Sequence, residues 1–235
     1  MHTLKRHIPD SLPKAPWRAL RNFLFPLFLV IAAGTASSAP AQQLRPSTVD
    51  EVTGKSLVER LRRGGLTLFF RHADTSGMPC DRSYEIGDRP GQRNLSAAGR
   101  AQAERIGQAL RDLGIPIADP VLAGPVFRAR DTAEIVFGSA AVEITDRLLA
   151  DDYAGSRLDW VLSEHRRLFS APVAPGTNRV LVGHRTPAIM VLGSAVAGEA
   201  FPEGSAIILE PGGGGAGILG ILMLAPPVGT GFHAC

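Results

Sequence analysis

Cysteine is nearly absent from this chain: its 235 residues hold two, Cys80 and Cys235. That excludes a framework of several disulfides and any zinc site built on paired C-x-x-C spacings. The two could form a single bridge in an oxidising compartment, although nothing in the spacing shows that the end of the chain reaches Cys80. Histidine is sparse too, with six in all. Two of these, His2 and His7, lie in the N-terminal segment. The other four, His72, His165, His184 and His233, are far apart and form no H-E-x-x-H pattern, so the sequence calls for no metal and no cofactor. A phosphate-binding P-loop is also missing. The glycines at 212–215 lack the Lys-Ser/Thr such a loop needs and precede an apolar run, which predicts a hairpin turn. The uncharged apolar run at residues 23–34 is short for a membrane-spanning helix.

That run does fit another pattern. Lys5, Arg6, Arg18 and Arg21 precede it, and Ala39-Pro40-Ala41 follows as a small-x-small cleavage site. This is the order of a secretory signal covering residues 1–41, and no cysteine nearby suggests a lipoprotein. The remainder reads as a linker, 42–54, and one domain, 55–235, located in the periplasm or secreted, with no stable membrane anchor after cleavage. The signal carries five of the 25 basic residues and one of the 22 acidic ones, which leaves 20 against 21. The basic balance of the whole chain thus belongs to the signal, and a general affinity for nucleic acid is not indicated.

Within the domain, three short apolar runs end in chemically capable residues. Residues 66–70 are rich in strand formers and run straight into Arg71, His72, Ala73 and Asp74. Residues 180–182 pass through Gly183 into His184. Residues 121–123 reach a Gly124-Pro125 turn and a predicted helix with Arg128 in its first turns. Ligands in open α/β sheets bind outside the carboxyl ends of strands, so two imidazoles and two guanidinium groups would meet at one sheet edge. A helix running from Ser96 to Leu113 is predicted from the serine cap and the face formed by Ala103, Ile106, Leu110 and Leu113. Further strands are expected at 142–145, 206–209 and 218–224, and further helices at 56–62 and 158–169. The latter would place His165 among Glu164, Arg166 and Arg167 as a solvated surface residue. The expected fold is α/β, a three-layer α/β/α sandwich with a mostly parallel central sheet.

Four segments together resemble the histidine phosphatase superfamily, the phosphoglycerate-mutase-like proteins of branch 1. Arg71-His72-Ala73 is similar to the family's R-H-G signature, with alanine in the glycine position. Residues 124–133, GPVFRARDTA, are similar to S-P-x-x-R-A-x-x-T-A and carry the second arginine as Arg128. Residues 182–184, VGH, are similar to V-x-G-H and carry the second histidine as His184. Residues 94–103, NLSAAGRAQA, are similar to L-[ST]-x-x-G-x-x-Q-A.

The resemblance implies a metal-independent phosphoric monoester hydrolase that works through a phosphohistidine intermediate. His72 would be the nucleophile, Arg71, Arg128 and His184 would hold the phosphoryl oxygens, and His184 would also stabilise the group in transfer. Those residue types suit the chemistry, because phosphoryl transfer is mostly positioning and charge stabilisation, and a guanidinium offers phosphate a planar fork. The general acid is the point of departure. The family's R-L-x-E segment stands here as Arg147-Leu148-Leu149-Ala150, with alanine where the glutamate would be. Asp151 is the leading candidate for that role, with Asp74 and Glu203 as the alternatives. The expected substrate is a small phosphomonoester or a phosphorylated cell-envelope component. The other function class left open is a catalytically degenerate module of the same fold that only binds phosphate or another anion.

Overall fold

The computed structural model describes residues 43–77, 80–227 and 229–232. The signal expected at 1–41, together with His233 and Cys235, lies outside the described residues. A two-residue strand, β1 (Ser47–Thr48), leads into helix α1 (Val52–Arg63) and strand β2 (Thr67–Arg71). A long loop follows, closed near its two ends where β3 (Thr75–Ser76) pairs antiparallel with β4 (Asn94–Leu95). Then come α2 (Ala97–Asp112), β5 (Val121–Ala123), α3 (Phe127–Phe137), β6 (Val142–Ile144), α4 (Asp151–Ala154), α5 (Leu158–Ser170), β7 (Arg179–Gly183), α6 (Arg185–Leu192), β8 (Ala206–Glu210) and β9 (Gly217–Met223).

Seven strands form the central sheet in the order β1-β9-β8-β2-β7-β5-β6. The pairs β1–β9, β2–β7, β5–β7 and β5–β6 are parallel, whereas β8 runs antiparallel to both β2 and β9. All five residues of β2 are buried. A continuous apolar run of this kind is expected of a central strand covered on both faces. Alternation along it divides the core. Leu68 and Phe70 pack with Leu61, Ile106, Ala133, Val180 and Val182 beneath α1, α2 and α3. Phe69 packs on the other face with Leu168, Phe169, Leu181, Ala188 and Ile207 beneath α5 and α6. The α/β sandwich read from the sequence is the fold observed.

Several local expectations hold in detail. Ser96 Oγ accepts the Gly99 N–H at the start of α2, and Ala103, Ile106 and Leu110 face inward. Residues 212–215 turn β8 back into β9, with the Gly215 N–H donating to the Gly212 carbonyl. His165 is a correction. It lies in α5 as expected but is fully buried, edge-on to Phe69 and Phe169, with its Nδ1 on the Val161 carbonyl. The charges at 164, 166 and 167 mark the solvent side of this amphipathic helix, and position 165 falls between them on the inner face.

Candidate active site

Register alone brings the two histidine junctions together. Arg71 at the end of β2 pairs with Gly183 at the end of β7, and the His72 N–H donates to the Gly183 carbonyl at 3.1 Å. The imidazoles of His72 and His184 then lie 5.5 Å apart, centroid to centroid. On the far side of β7, β5 ends in register at Ala123, and Gly124 turns the chain into α3. A Cβ on Gly124 would stand 2.3 Å from the Leu148 carbonyl oxygen, so this close approach requires glycine.

The remaining motif residues brace the junction. Thr132 Oγ1 accepts the Ala73 N–H at 2.9 Å and donates to the Arg128 carbonyl one helical turn back. Gln102 Oε1 accepts the Asp74 N–H, while its Nε2 donates to the carbonyls of Glu203 and Ala225. At Gly99 a Cβ would stand 1.9 Å from the Asp74 carbonyl oxygen, so only glycine lets α2 sit against the loop after the first histidine.

A cavity of about 100 Å³ opens at this edge, lined by Arg71, His72, Asp81, Arg93, Arg128, Ala150, Asp151, Asp152, His184, Arg185 and Thr186. Several of the residues lining it carry a nitrogen that the fold leaves without a partner. The Nε atoms of Arg71, Arg128 and Arg185 and the Nε2 of His184 are buried without a hydrogen-bond partner. Burying such groups unsatisfied is costly, so their convergence marks a place built for an acceptor.

Arg71 is anchored by both of its outer nitrogens and Arg128 by one. Arg71 Nη1 donates to the carbonyls of Phe201 and Gly231, and its Nη2 donates to Glu203 Oε1 at 3.2 Å. Arg128 Nη1 contacts both oxygens of Asp81, at 3.2 and 2.8 Å. Asp81 also accepts the Arg93 backbone N–H at 2.6 Å and the Tyr153 hydroxyl at 2.7 Å. These partners hold the Asp81 carboxyl below the usual carboxylate range despite its burial.

Electrostatics keep both histidines neutral. Burial comes first, then the nearby guanidinium groups of Arg128 and Arg71, and they push His72 well below an ordinary imidazole. His184 is depressed in the same direction, again by burial first and then Arg128. The Nδ1 of His72 lies 2.9 Å from the Ala73 carbonyl. A carbonyl can only accept, so Nδ1 carries the proton and Nε2 the lone pair.

The three acid candidates separate clearly. Asp151 lines the cavity at the start of α4, and burial, followed by the neighbouring Asp152, raises its pKa. Asp74 lies off the cavity and accepts from the Ser96 hydroxyl at 2.5 Å. Glu203 is fully buried behind Arg71, accepts from Thr75 Oγ1 at 3.3 Å, and stands 4.0 Å from His72 Nδ1. Ala150, in the register of the family's glutamate, does stand in the cavity wall. Sequence reading missed Arg93, Arg185, Asp81, Asp152, Tyr153 and Thr186. Arg185 and Thr186 directly follow His184, and Asp152 and Tyr153 directly follow Asp151, so adjacency could have suggested them. Asp81 and Arg93 sit in the irregular loop, where no period or spacing points to a site.

Among the described residues, no group of three or more His, Cys, Asp or Glu side chains could hold a metal ion. No helix among them is long and apolar enough to cross a membrane.

Comparison with solved structures gives several matches of low identity. The protein histidine phosphatase SixA complexed with tungstate matches at 16% identity and a TM-score of 0.47, covering 68% of this chain and 97% of that one. A putative alpha-ribazole-5'-P phosphatase from Escherichia coli matches at 16% and 0.47, covering 69% and 99%. A mycobacterial glucosyl-3-phosphoglycerate phosphatase matches at 22% and 0.41, covering 63% and 90%. No curated protein matches the sequence. The family described as "Histidine phosphatase superfamily (branch 1)" matches residues 67–153, the stretch that carries Arg71, His72, Arg128 and Asp151, and it is the family that the four sequence motifs resemble.

Proposed function

We propose that this chain is an exported phosphomonoesterase that acts through a phosphohistidine at His72. The observation that carries the reading is the set of unpartnered donors, Arg71, Arg128, Arg185 and His184, around an imidazole held neutral with its lone pair on Nε2. A phosphoryl dianion supplies the acceptors those donors lack.

In the first step His72 Nε2 attacks phosphorus as the bond from phosphorus to the leaving oxygen breaks. Asp151, whose raised pKa favours the protonated form, gives its proton to that oxygen. The imidazole becomes cationic, and its Nδ1–H is met by the Ala73 carbonyl with Glu203 beyond it. In the second step water attacks phosphorus, the Asp151 carboxylate takes a proton from it, and the N–P bond breaks to return neutral His72 and release phosphate. Positive neighbours serve twice: they keep the resting imidazole unprotonated and they spread the charge of the transferring group.

The test is turnover of a phosphomonoester panel by the purified chain, with and without a chelator. His72→Ala is expected to remain folded and to lose several orders of magnitude in kcat/KM, on the order of 10³-fold or more, because the attacking imidazole is removed. Near-parent activity in that variant would remove His72 from the mechanism. Phosphate binding without turnover by the parent chain would favour the degenerate anion-binding reading, which the alanine at position 150 supports. Export rests on the residues 1–41 pattern, and recovery of the protein in the cytosol with an intact N-terminus would refute it.

A further inference from the structure

Residues 229–232 contact two arginines of the cavity wall, Arg71 and Arg185, and take no part in the chemistry proposed for it. Residues 229–232 form a strap behind Arg71. The Gly231 carbonyl accepts from Arg71 Nη1 at 3.3 Å and from the Glu203 N–H at 2.9 Å, so one strap carbonyl ties together the arginine and its buried carboxylate. The turn is specific to glycine. Gly231 has φ of 71°, and a Cβ there would stand 2.7 Å from Pro227 and 2.9 Å from Pro202.

The next side chain, Phe232, lies against two guanidinium groups at once. Its ring centroid is 5.2 Å from Arg71 Cζ and 5.7 Å from Arg185 Cζ. Both arginines line the cavity and both present a buried Nε without a hydrogen-bond partner. Arg185 is further distinguished by its counter-charges. Its Nη2 donates to the Gly198 carbonyl at 2.6 Å, yet among the described residues no carboxylate lies within ion-pair distance of it. Two like charges would separate unless something holds both, and an aromatic face does this without neutralising either one.

We propose that Arg185 is a further anion-binding residue of the pocket, and that Phe232 is the positioning residue that holds Arg185 and Arg71 toward the bound phosphoryl group. The proposal rests on the phosphomonoesterase reading and extends it. The cation set would be completed by a segment some 45 residues beyond the second histidine, outside all four motifs.

Inorganic phosphate is the probe, measured both as a titrant of the full chain by calorimetry and as a product inhibitor of aryl phosphate turnover. Phe232→Ala is expected to weaken phosphate roughly 5- to 20-fold, the effect of losing two cation–aromatic contacts. Phe232→Tyr should stay within about twofold of the parent, whereas Phe232→Leu, apolar but without a ring face, should behave as the alanine variant. Arg185→Met should weaken phosphate by a similar factor, and adding Phe232→Ala to it should cost clearly less than Phe232→Ala alone.

Leucine performing as well as phenylalanine would overturn the proposal, and so would full additivity of the two changes. If the alanine variant fails to fold, the leucine and tyrosine pair still decides the matter. A parent chain that binds phosphate with variants equal to it would refute the strap and leave the phosphatase reading intact. A parent chain that binds no phosphate would refute both.

Discussion

Glu203→Gln isolates what a buried charge does for Arg71. The substitution keeps the shape of the side chain and an oxygen to accept from Arg71 Nη2 and Thr75 Oγ1, and it removes only the charge. Arg71 is buried, and its pKa is brought down to about 10, chiefly by desolvation and further by Arg185, Arg93 and Arg128, with Glu203 opposing. A unit charge 3.2 Å away at an effective dielectric near 20 contributes at most ~5 kcal/mol. Allowing for residual screening, its loss should lower the Arg71 pKa by a further ~1–3 units. Activity that needs the guanidinium charged falls as pH rises through about 10 in the parent. In the variant that alkaline limb should appear roughly 1–3 units lower. Stability follows a separate sign. Because the folded pKa lies below the unfolded one, the cost of burying Arg71 charged is fully present below about pH 10 and is relieved as pH rises beyond it. The variant should therefore also melt lower at neutral pH, by an amount set by ~3–5 kcal/mol for breaking a buried pair. The assays are kcat/KM across the alkaline range and thermal melting at two pH values. An unmoved limb with an unmoved melting temperature would mean that Glu203 does not hold the Arg71 charge.

Arg128→Lys keeps the charge and loses the planar group that meets Asp81 through Nη1 and carries the unpartnered Nε, so kcat/KM should fall about 10²-fold, and unchanged kinetics would remove Arg128 from the proposed phosphate site. Asp151→Asn should slow alkyl phosphates strongly and nitrophenyl phosphate hardly at all, because only the alkoxide needs a proton on leaving; equal slowing of both would assign Asp151 a structural or binding role. Asp81→Asn removes the carboxylate charge that grips Arg128 and accepts from Tyr153. It should raise KM several-fold with kcat little changed, so that kcat/KM falls by the same factor, and an unchanged KM would show that Arg128 needs no such anchor.

The fold was legible because periodicity and punctuation agreed. Uninterrupted apolar runs marked β2 and β7 as central strands, Ser96 marked the start of α2, and the glycines at 212–215 marked the β8–β9 turn. His165 was misread because the charges around it in sequence outweighed its place on the helix, where neighbours one residue apart face different directions. At the site, the strand junctions gave Arg71, His72, Arg128 and His184, since a residue that follows a strand is positioned by the strand itself. Asp81 and Arg93 reach the pocket through the loop, and Phe232 reaches two of its arginines through the tail, geometry that has no period to read.

The split has a physical basis. The groups proposed to meet an incoming anion sit on rigid elements, at the end of β2 and after β5 and β7. Groups that orient them need only reach a guanidinium from behind. Arg71 is held by Glu203 and two carbonyls from residues 201–231, and Arg128 is held by Asp81 from the loop after β3. In both cases an outer nitrogen is engaged by the protein while the buried Nε has no hydrogen-bond partner. A guanidinium fixed at one edge cannot swing to meet whatever anion arrives, so the cost of ordering it is met on folding rather than on binding. The acids that do this can come from any segment that passes nearby. Their sequence positions are therefore unconstrained by the strand junctions, although their contact with the pocket arginines is direct.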